Sequence, residues 1–194
     1  MTTHQVYKTL PEAEASPDII REKSSLSLIM LLVVQIIIGY EWFMSGLVKF
    51  VRGDFPAGLA DELAEKAEGA YGWYASFLDG VIIPNASNFG YLIETAEILI
   101  GVAFIAVPLI WFFARRRVPE RLWAFIFLLT AVAAIGGIFM AINFHLANGY
   151  SHPWLIPADS FDEGVDFDTF LALMNIVFAA INISFFFRLR RKKN

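Results

Sequence analysis

Apolar residues form four long runs along the chain, each followed by a polar stretch. The runs cover about 26–51, 89–114, 122–147 and 169–187. Each is close to the roughly 20 residues that a helix needs to cross about 30 Å of hydrocarbon. Because lipid offers the backbone no hydrogen-bond partner, helix is the only form expected for such runs. The pattern predicts an all-α membrane protein, an antiparallel bundle of four transmembrane helices.

The connection between the first two runs has a helical pattern of its own. The segment reads "PAGLADELAEKAEGAYGWYASFLDGVI", and its apolar side chains recur at helical spacing. These side chains are Leu59, Leu63, Ala67, Ala70, Tyr71 and Tyr74. Trp73 and the two tyrosines suit the headgroup layer of a membrane. The pattern predicts an interfacial amphipathic helix, or two short helices broken at Gly69 and Gly72.

Composition supports the membrane class and excludes several kinds of site. Hydrophobic residues make up 57% of the 194 residues, above the 45–50% or so of an average soluble domain. The mean hydropathy is +0.57. There is no cysteine, which excludes disulfide exchange, zinc-thiolate sites and cysteine-ligated iron–sulfur clusters. We expect a lipid bilayer as partner, no nucleic acid and no metal.

Basic and acidic residues alternate between the connections. The link after the second run contains Arg115–Arg117 and Arg121, and the chain ends in "RLRRKKN". The connections 52–88 and 148–168 are rich in acids. The positive-inside rule therefore predicts a multi-pass protein of the cell membrane with both termini cytoplasmic. The expected organisation is a polar cytoplasmic segment 1–25, a transmembrane domain 26–187 and a basic tail 188–194.

Ionisable and amide side chains concentrate in the predicted outer half of the bundle. They are Glu41, Lys49, Glu94, Glu97, Asn143 and His145. An ion in a bilayer core costs about 2.5–3.5 kcal/mol or more, so these groups are expected to face the bundle interior. Lys49 is predicted at the outer rim, and Glu41 is predicted to share a proton with Glu97 deeper in the membrane. A purely structural interpretation is that buried pairs fix the helix register, that Lys49 snorkels and that His145 lies among headgroups.

Three segments resemble a known family. They are "GYEWFMSGLVKF" in the first helix, "ETAEILIGVAFI" in the second and "NFHLANGYSHPW" after the third. They are similar to the DoxX-like superfamily of four-helix membrane proteins, and most like the DoxD subunit of thiosulfate:quinone oxidoreductase. The similarity extends over about 26–187. Its shared positions are Gly46, Lys49, Glu97, Gly101, Asn143 and His145.

The resemblance implies electron transfer from thiosulfate or a similar small donor to a quinone, and a second, smaller subunit. Quinone reduction needs an apolar slot and proton donors, and we predict Glu97, Glu94 and His145 as the catalytic residues. Lys49, Glu41 and Asn143 are the predicted substrate-binding residues. The acidic loops count against capture of an anion.

Two other interpretations stay open. One is a non-catalytic integral membrane subunit that binds partner proteins or lipid. The other is a small proton-coupled transporter that uses Glu41, Glu94 and Glu97, which four helices without an internal repeat make weaker. A homo-oligomer is compatible with each of them.

Overall fold

The structure is a computed structural model that describes residues 17–149 and 165–191, with side chains described from Leu26 onward. Within these residues, every regular element is a helix. The helices are α1 (Pro17–Arg52), α2 (Phe55–Gly69), α3 (Gly72–Phe77), α4 (Ala86–Ala114), α5 (Glu120–Ala147) and α6 (Phe167–Arg191). A π-helical turn, Leu78–Ile82, and a 3-10 turn, Ile83–Asn85, join α3 to α4. The predicted start of the N-terminal segment, most of the second acidic loop and the end of the tail lie outside the described residues.

Four of the helical stretches are long and apolar enough to cross a membrane. They are Leu26–Arg52, Gly72–Ala114, Glu120–Ala147 and Phe167–Arg191. The shortest has 25 residues, which is about 37 Å of helix and exceeds the hydrocarbon thickness of about 30 Å. The prediction of an all-helical protein with four such helices is confirmed, and the molecule has the character of a multi-pass membrane protein.

The long helices form a four-helix bundle from two intimate pairs. α1 packs along α4, and α5 packs along α6, while α1 and α6 touch only slightly. Buried side chains of all four helices meet in the centre, where the rings of Phe104 and Phe178 contact edge to face at 5.1 Å. We call the end that carries the Arg115–Arg117 link and the C-terminal arginines of α6 the basic end. The opposite end, which carries α2 and Asp166, is the acidic end.

Two glycines bring the backbones of α1 and α4 together. Gly46 lies against the backbone of Glu94 and Ile98, and Gly101 lies against the backbone of Phe43. Residue numbers therefore rise along α1 while they fall along α4. Small residues at such crossings are the usual means by which membrane helices pack closely. The close approach places side chains next to these glycines within reach of the neighbouring helix.

The segment Phe55–Asn85, which we call the lid segment, covers the acidic end. Its helices α2 and α3 separate between Gly69 and Gly72, at the predicted break. Leu59, Leu63 and Tyr74 are buried and pack with Ala86 and Ala147 of the bundle. Apolar side chains thus fasten the lid segment to the bundle, and its acidic residues face outward.

We expect Gly101→Ala to destabilise the bundle, because a methyl group there comes within 2.6 Å of the Cα atom of Phe43. Backbone cannot yield as a flexible side chain does, and overpacking of this kind costs about 1–3 kcal/mol. Thermal unfolding in detergent measures the effect. Gly136→Ala is the matched control, since Gly136 has no atom within 4 Å of the added methyl. Equal melting temperatures for both variants would contradict the described α1–α4 packing.

Candidate functional site

A buried ion pair joins α1 to α4. The Nζ atom of Lys49 donates to both carboxylate oxygens of Glu97, at 2.6 and 2.7 Å, and to the hydroxyl of Ser45 at 3.0 Å. The side chain of Glu97 is 1% exposed, and that of Lys49 is 24% exposed. An ammonium group has three hydrogens, so these three acceptors use all of its donors. The pair satisfies both charges inside the protein.

Two aromatic rings lie close to the ammonium group of Lys49. The ring of Phe55, the first residue of the lid segment, lies 5.1 Å from Nζ, and the ring of Phe144 in α5 lies 5.9 Å away. Ring faces attract a cation and exclude water. The lid segment therefore covers the ion pair, and three elements besides α1 contribute to its surroundings.

Lys49 was predicted at the outer rim, with Glu97 deeper in the membrane, and in the structure the two side chains form a direct ion pair. Helical side chains tilt toward the N-terminus of their own helix. Since α1 and α4 run past each other in opposite directions, Lys49 tilts toward the basic end and Glu97 tilts toward the acidic end. The two side chains approach each other, and Gly46 keeps the backbones close enough for contact.

Glu41 is exposed on the outer face of the bundle, contrary to the expectation that it faces the interior. Steps of four residues drift by about 40° around a helix, so Glu41 and Lys49 lie about 80° apart. The face of α1 that meets α4 instead contains Gln35, Ile38 and Trp42, which are buried. Glu97 forms an ion pair with Lys49, in place of the expected sharing of a proton with Glu41.

Three buried polar atoms in the bundle interior have no hydrogen-bond partner among the described residues. They are Nε1 of Trp42, Oε2 of Glu94 and Oδ1 of Asn175. Their side chains are 2%, 3% and 0% exposed. Gly137 makes room for the Asn175 amide, since a methyl group at Gly137 would come within 2.6 Å of Oδ1. Leaving such a group unsatisfied costs about 1–3 kcal/mol, so each of the three atoms calls for a partner.

The three residues that carry the unpaired atoms lie at similar heights along the bundle axis. The contacts Gly46–Glu97 and Phe104–Phe178 show which residues of α1, α4 and α6 lie at the same height along the bundle axis. With a rise of 1.5 Å per residue, the backbones of Trp42 and Asn175 lie at about the same height, and Glu94 lies about 10 Å nearer the acidic end. The Lys49–Glu97 pair falls within this interval. Donor, acceptor and carboxyl groups are therefore available along a short stretch of the interior.

Asn143 connects α5 to the lid segment. Its side chain is half-buried, its amide nitrogen donates to the carbonyl of Phe139 at 2.7 Å, and its oxygens accept from the hydroxyl of Tyr74 at 3.1 Å. Asn143 therefore ties α5 to α3. The amide of Asn143 is thus engaged by Phe139 and Tyr74, and its predicted role in substrate binding stays a prediction.

His145 joins the end of α5 to the start of α6. Its Nδ1 atom lies 3.2 Å from the Oδ2 atom of Asp166 and 3.2 Å from the hydroxyl of Thr169. Asp166 precedes α6 and accepts from the backbone N–H and the hydroxyl of Thr169, at 3.0 and 2.6 Å. This is the geometry of a helix N-cap. The described contacts of His145 thus place it in a capping arrangement, and its predicted catalytic role stays a prediction.

Burial alone would raise the pKa of the Asp166 carboxyl, but the hydrogen bonds from Thr169 and the nearby His145 outweigh burial and lower it. A carboxyl whose pKa is lower in the folded protein than in the unfolded chain stabilises the fold above its ordinary pKa. That stabilisation is lost as the pH falls through the folded-state pKa. The cap is therefore fully effective at neutral pH.

Several of the polar residues that matter here were not among the predicted site residues. Trp42 lies one turn from Gly46 and seven residues from Lys49, and that spacing keeps all three on one helix face. Asp166 lies three residues before Thr169, a spacing typical of an N-cap. Nearer the basic end, Gln35, Thr130 and Asn182 are buried, and each donates a hydrogen bond to a backbone carbonyl.

Within the described part of the chain, no three His, Asp or Glu side chains group as a metal site would require. No protein-family model, no curated protein and no solved structure matches the chain. The resemblance to the DoxX-like superfamily therefore stays a prediction.

We expect Lys49→Met to destabilise the protein by about 3–5 kcal/mol, because it leaves the Glu97 carboxylate buried without its cation. Combining it with Glu97→Leu should recover most of that loss, since an apolar pair of similar volume needs no compensation. Unfolding of the single and double variants in detergent measures the coupling. Lys66→Met is the matched control, because the exposed Lys66–Glu62 pair is worth about 0–1 kcal/mol. Additive effects at Lys49 and Glu97 would contradict the pairing.

Proposed function

We propose that this chain is the membrane-embedded subunit of a quinone-linked oxidoreductase, with the quinone headgroup held in the bundle between Trp42, Glu94 and Asn175. The observation that carries the proposal is the set of three unpaired polar atoms on buried side chains. A quinone carbonyl accepts a hydrogen bond, and the quinol hydroxyl donates one. One ligand of this class therefore complements an indole N–H, an amide oxygen and a carboxyl group.

Each residue then has a role that follows from its chemistry. The Trp42 N–H donates to a quinone carbonyl, and the Asn175 oxygen accepts from a quinol hydroxyl. Glu94 supplies a proton, because its carboxyl is buried and its Oε2 atom has no partner among the described residues. Reduction of the quinone consumes two electrons and two protons, so Glu94 delivers one proton, is reprotonated from water and then delivers the second. The family resemblance suggests thiosulfate or a similar small reductant as the electron source.

The Lys49–Glu97 pair supports this site rather than binding the reductant. All three donors of Lys49 are used by Glu97 and Ser45, so an anion would have to break these bonds to reach the ammonium. Fixed charges beside the headgroup hold Glu94 and Trp42 in place through α1 and α4. Reductant oxidation is then the task of a second, smaller subunit of the complex.

The proposal includes an orientation in the cell membrane, with four antiparallel spans, both termini and the basic end in the cytoplasm, and the lid segment at the outer interface. Because the chain has no cysteine, single introduced cysteines report their side without background. We expect an impermeant thiol reagent added to intact cells to label Glu65→Cys and to leave Arg116→Cys unlabelled. Lysis should expose both. Labelling of Arg116→Cys before lysis would overturn the orientation.

Purification in mild detergent, followed by solvent extraction and quinone quantification, tests the ligand. We expect quinone to copurify with the wild-type protein. Trp42→Phe removes one net hydrogen bond of about 0.5–1.5 kcal/mol, so quinone affinity should fall roughly three- to tenfold. Trp73→Phe is the matched control, because Trp73 is 65% exposed in the lid segment, away from the proposed site.

Glu94→Gln tests the proton donor in the intact complex. Quinone reduction should fall roughly 100-fold or more, while quinone content and melting temperature stay close to wild type. Glu97→Gln is expected to abolish turnover too, but it also removes the counter-charge of Lys49, so Glu94 is the sharper test. Absence of quinone together with unchanged turnover in Glu94→Gln would reject the proposal. The non-catalytic membrane subunit would then stand.

A further inference from the structure

Glu41 lies on the exposed face of α1 near the middle of the span. It is 11 residues from Arg52 and 15 from Leu26, which is about 16 Å and 22 Å along the helix. A glutamate side chain is too short to reach water from this depth. An ionisable residue within a membrane span normally faces protein or pairs with another group. The exposed position of Glu41 therefore indicates that this face of α1 is covered by protein in the membrane.

The face around Glu41 has a regular composition. Exposed or half-buried residues recur at alternating steps of three and four, at Ser27, Met30, Val34, Ile37, Glu41, Met44, Val48 and Val51. Ile37 is 61% exposed, and Val51 is 73% exposed. This 3.5-residue spacing matches that of the seam of a left-handed coiled coil. We call it the outer seam of α1, to distinguish it from the face that packs on α4.

The chemistry of the outer seam selects its occupant. In a parallel, in-register pair of identical helices, each seam residue meets its own counterpart. Glu41 then meets Glu41, and a shared proton allows the two carboxyls to hydrogen-bond each other within lipid. A single polar residue in an otherwise apolar seam also fixes the register and the number of helices. A different partner helix would need its own polar group at the matching height.

We propose that this chain forms a parallel two-fold dimer through the outer seam of α1, held in register by Glu41 of the two copies. The dimer leaves the α4-facing side of α1, with Trp42 and the Lys49–Glu97 pair, inside each bundle. The inference is independent of the proposed quinone site, because the two use different faces of α1.

Cysteine cross-linking in native membranes tests the dimer, since the wild-type chain has no cysteine. Ile37→Cys, at a seam position near Glu41, should cross-link into a homodimer on mild oxidation. Phe139→Cys is the matched control, because Phe139 in α5 is 69% exposed but lies off the outer seam. Absence of a homodimer at Ile37, equal cross-linking at Phe139, or cross-linking of Ile37 only to a different protein would each overturn the proposal.

Substitution of Glu41 tests the register. In the Ile37→Cys background, Glu41→Gln keeps a hydrogen-bonding group and should retain the cross-link. Glu41→Leu should weaken association roughly five- to thirtyfold, as judged by the protein-to-lipid ratio at which half of the chains cross-link. Melting of Glu41→Leu at or above the wild-type temperature verifies that the bundle remains folded. Undiminished cross-linking in folded Glu41→Leu would overturn the role of Glu41.

Discussion

The arrangement of this protein depends on the exclusion of water from the span, which obliges every polar side chain there to find a partner. Lys49 and Glu97 meet that requirement together, across two helices, and α1 and α4 must stay in one register for the pair to form. Gly46 permits the approach, and Phe55 closes over it. The pair therefore links the helix packing, the position of the lid segment and the placement of Glu94 in a single arrangement. Removing one charge leaves the other in the protein interior without a counter-charge.

The same requirement separates structural polar residues from candidates for function. Gln35, Thr130 and Asn182 all donate to backbone carbonyls of the bundle, and His145 has Asp166 and Thr169 beside it. Such contacts explain why these residues are tolerated in the interior. Trp42, Glu94 and Asn175 instead keep atoms that no described group satisfies. The proposed site for a molecule with both accepting and donating oxygens is based on that contrast, rather than on the mere presence of acids in the membrane.

Much of the fold was predictable from the sequence, because run length and the lack of backbone partners in lipid leave few alternatives to helix. The break in the lid segment was predictable from Gly69 and Gly72, because glycine has a low helix propensity. The candidate site was harder to predict from the sequence than the fold. Depth estimates from residue counts placed Lys49 and Glu97 apart, since they ignored the opposite tilt of the two side chains. The four-residue spacing from Glu41 to Lys49 suggested one face, although two such steps drift far enough to put Glu41 outside.

The pairing of the helices has a mechanical consequence. α1 and α4 are interlocked by glycine contacts and an ion pair, and α5 and α6 are joined by extensive packing and the Asp166 cap. We therefore expect each pair to behave as a stiff unit, with a rocking of one pair against the other about the Phe104–Phe178 contact as the softest internal motion. Trp42 and Glu94 belong to one pair, and Asn175 belongs to the other. A molecule bound by all three residues would link the two helix pairs. The bundle would therefore become more rigid as a larger fraction of the protein binds that molecule.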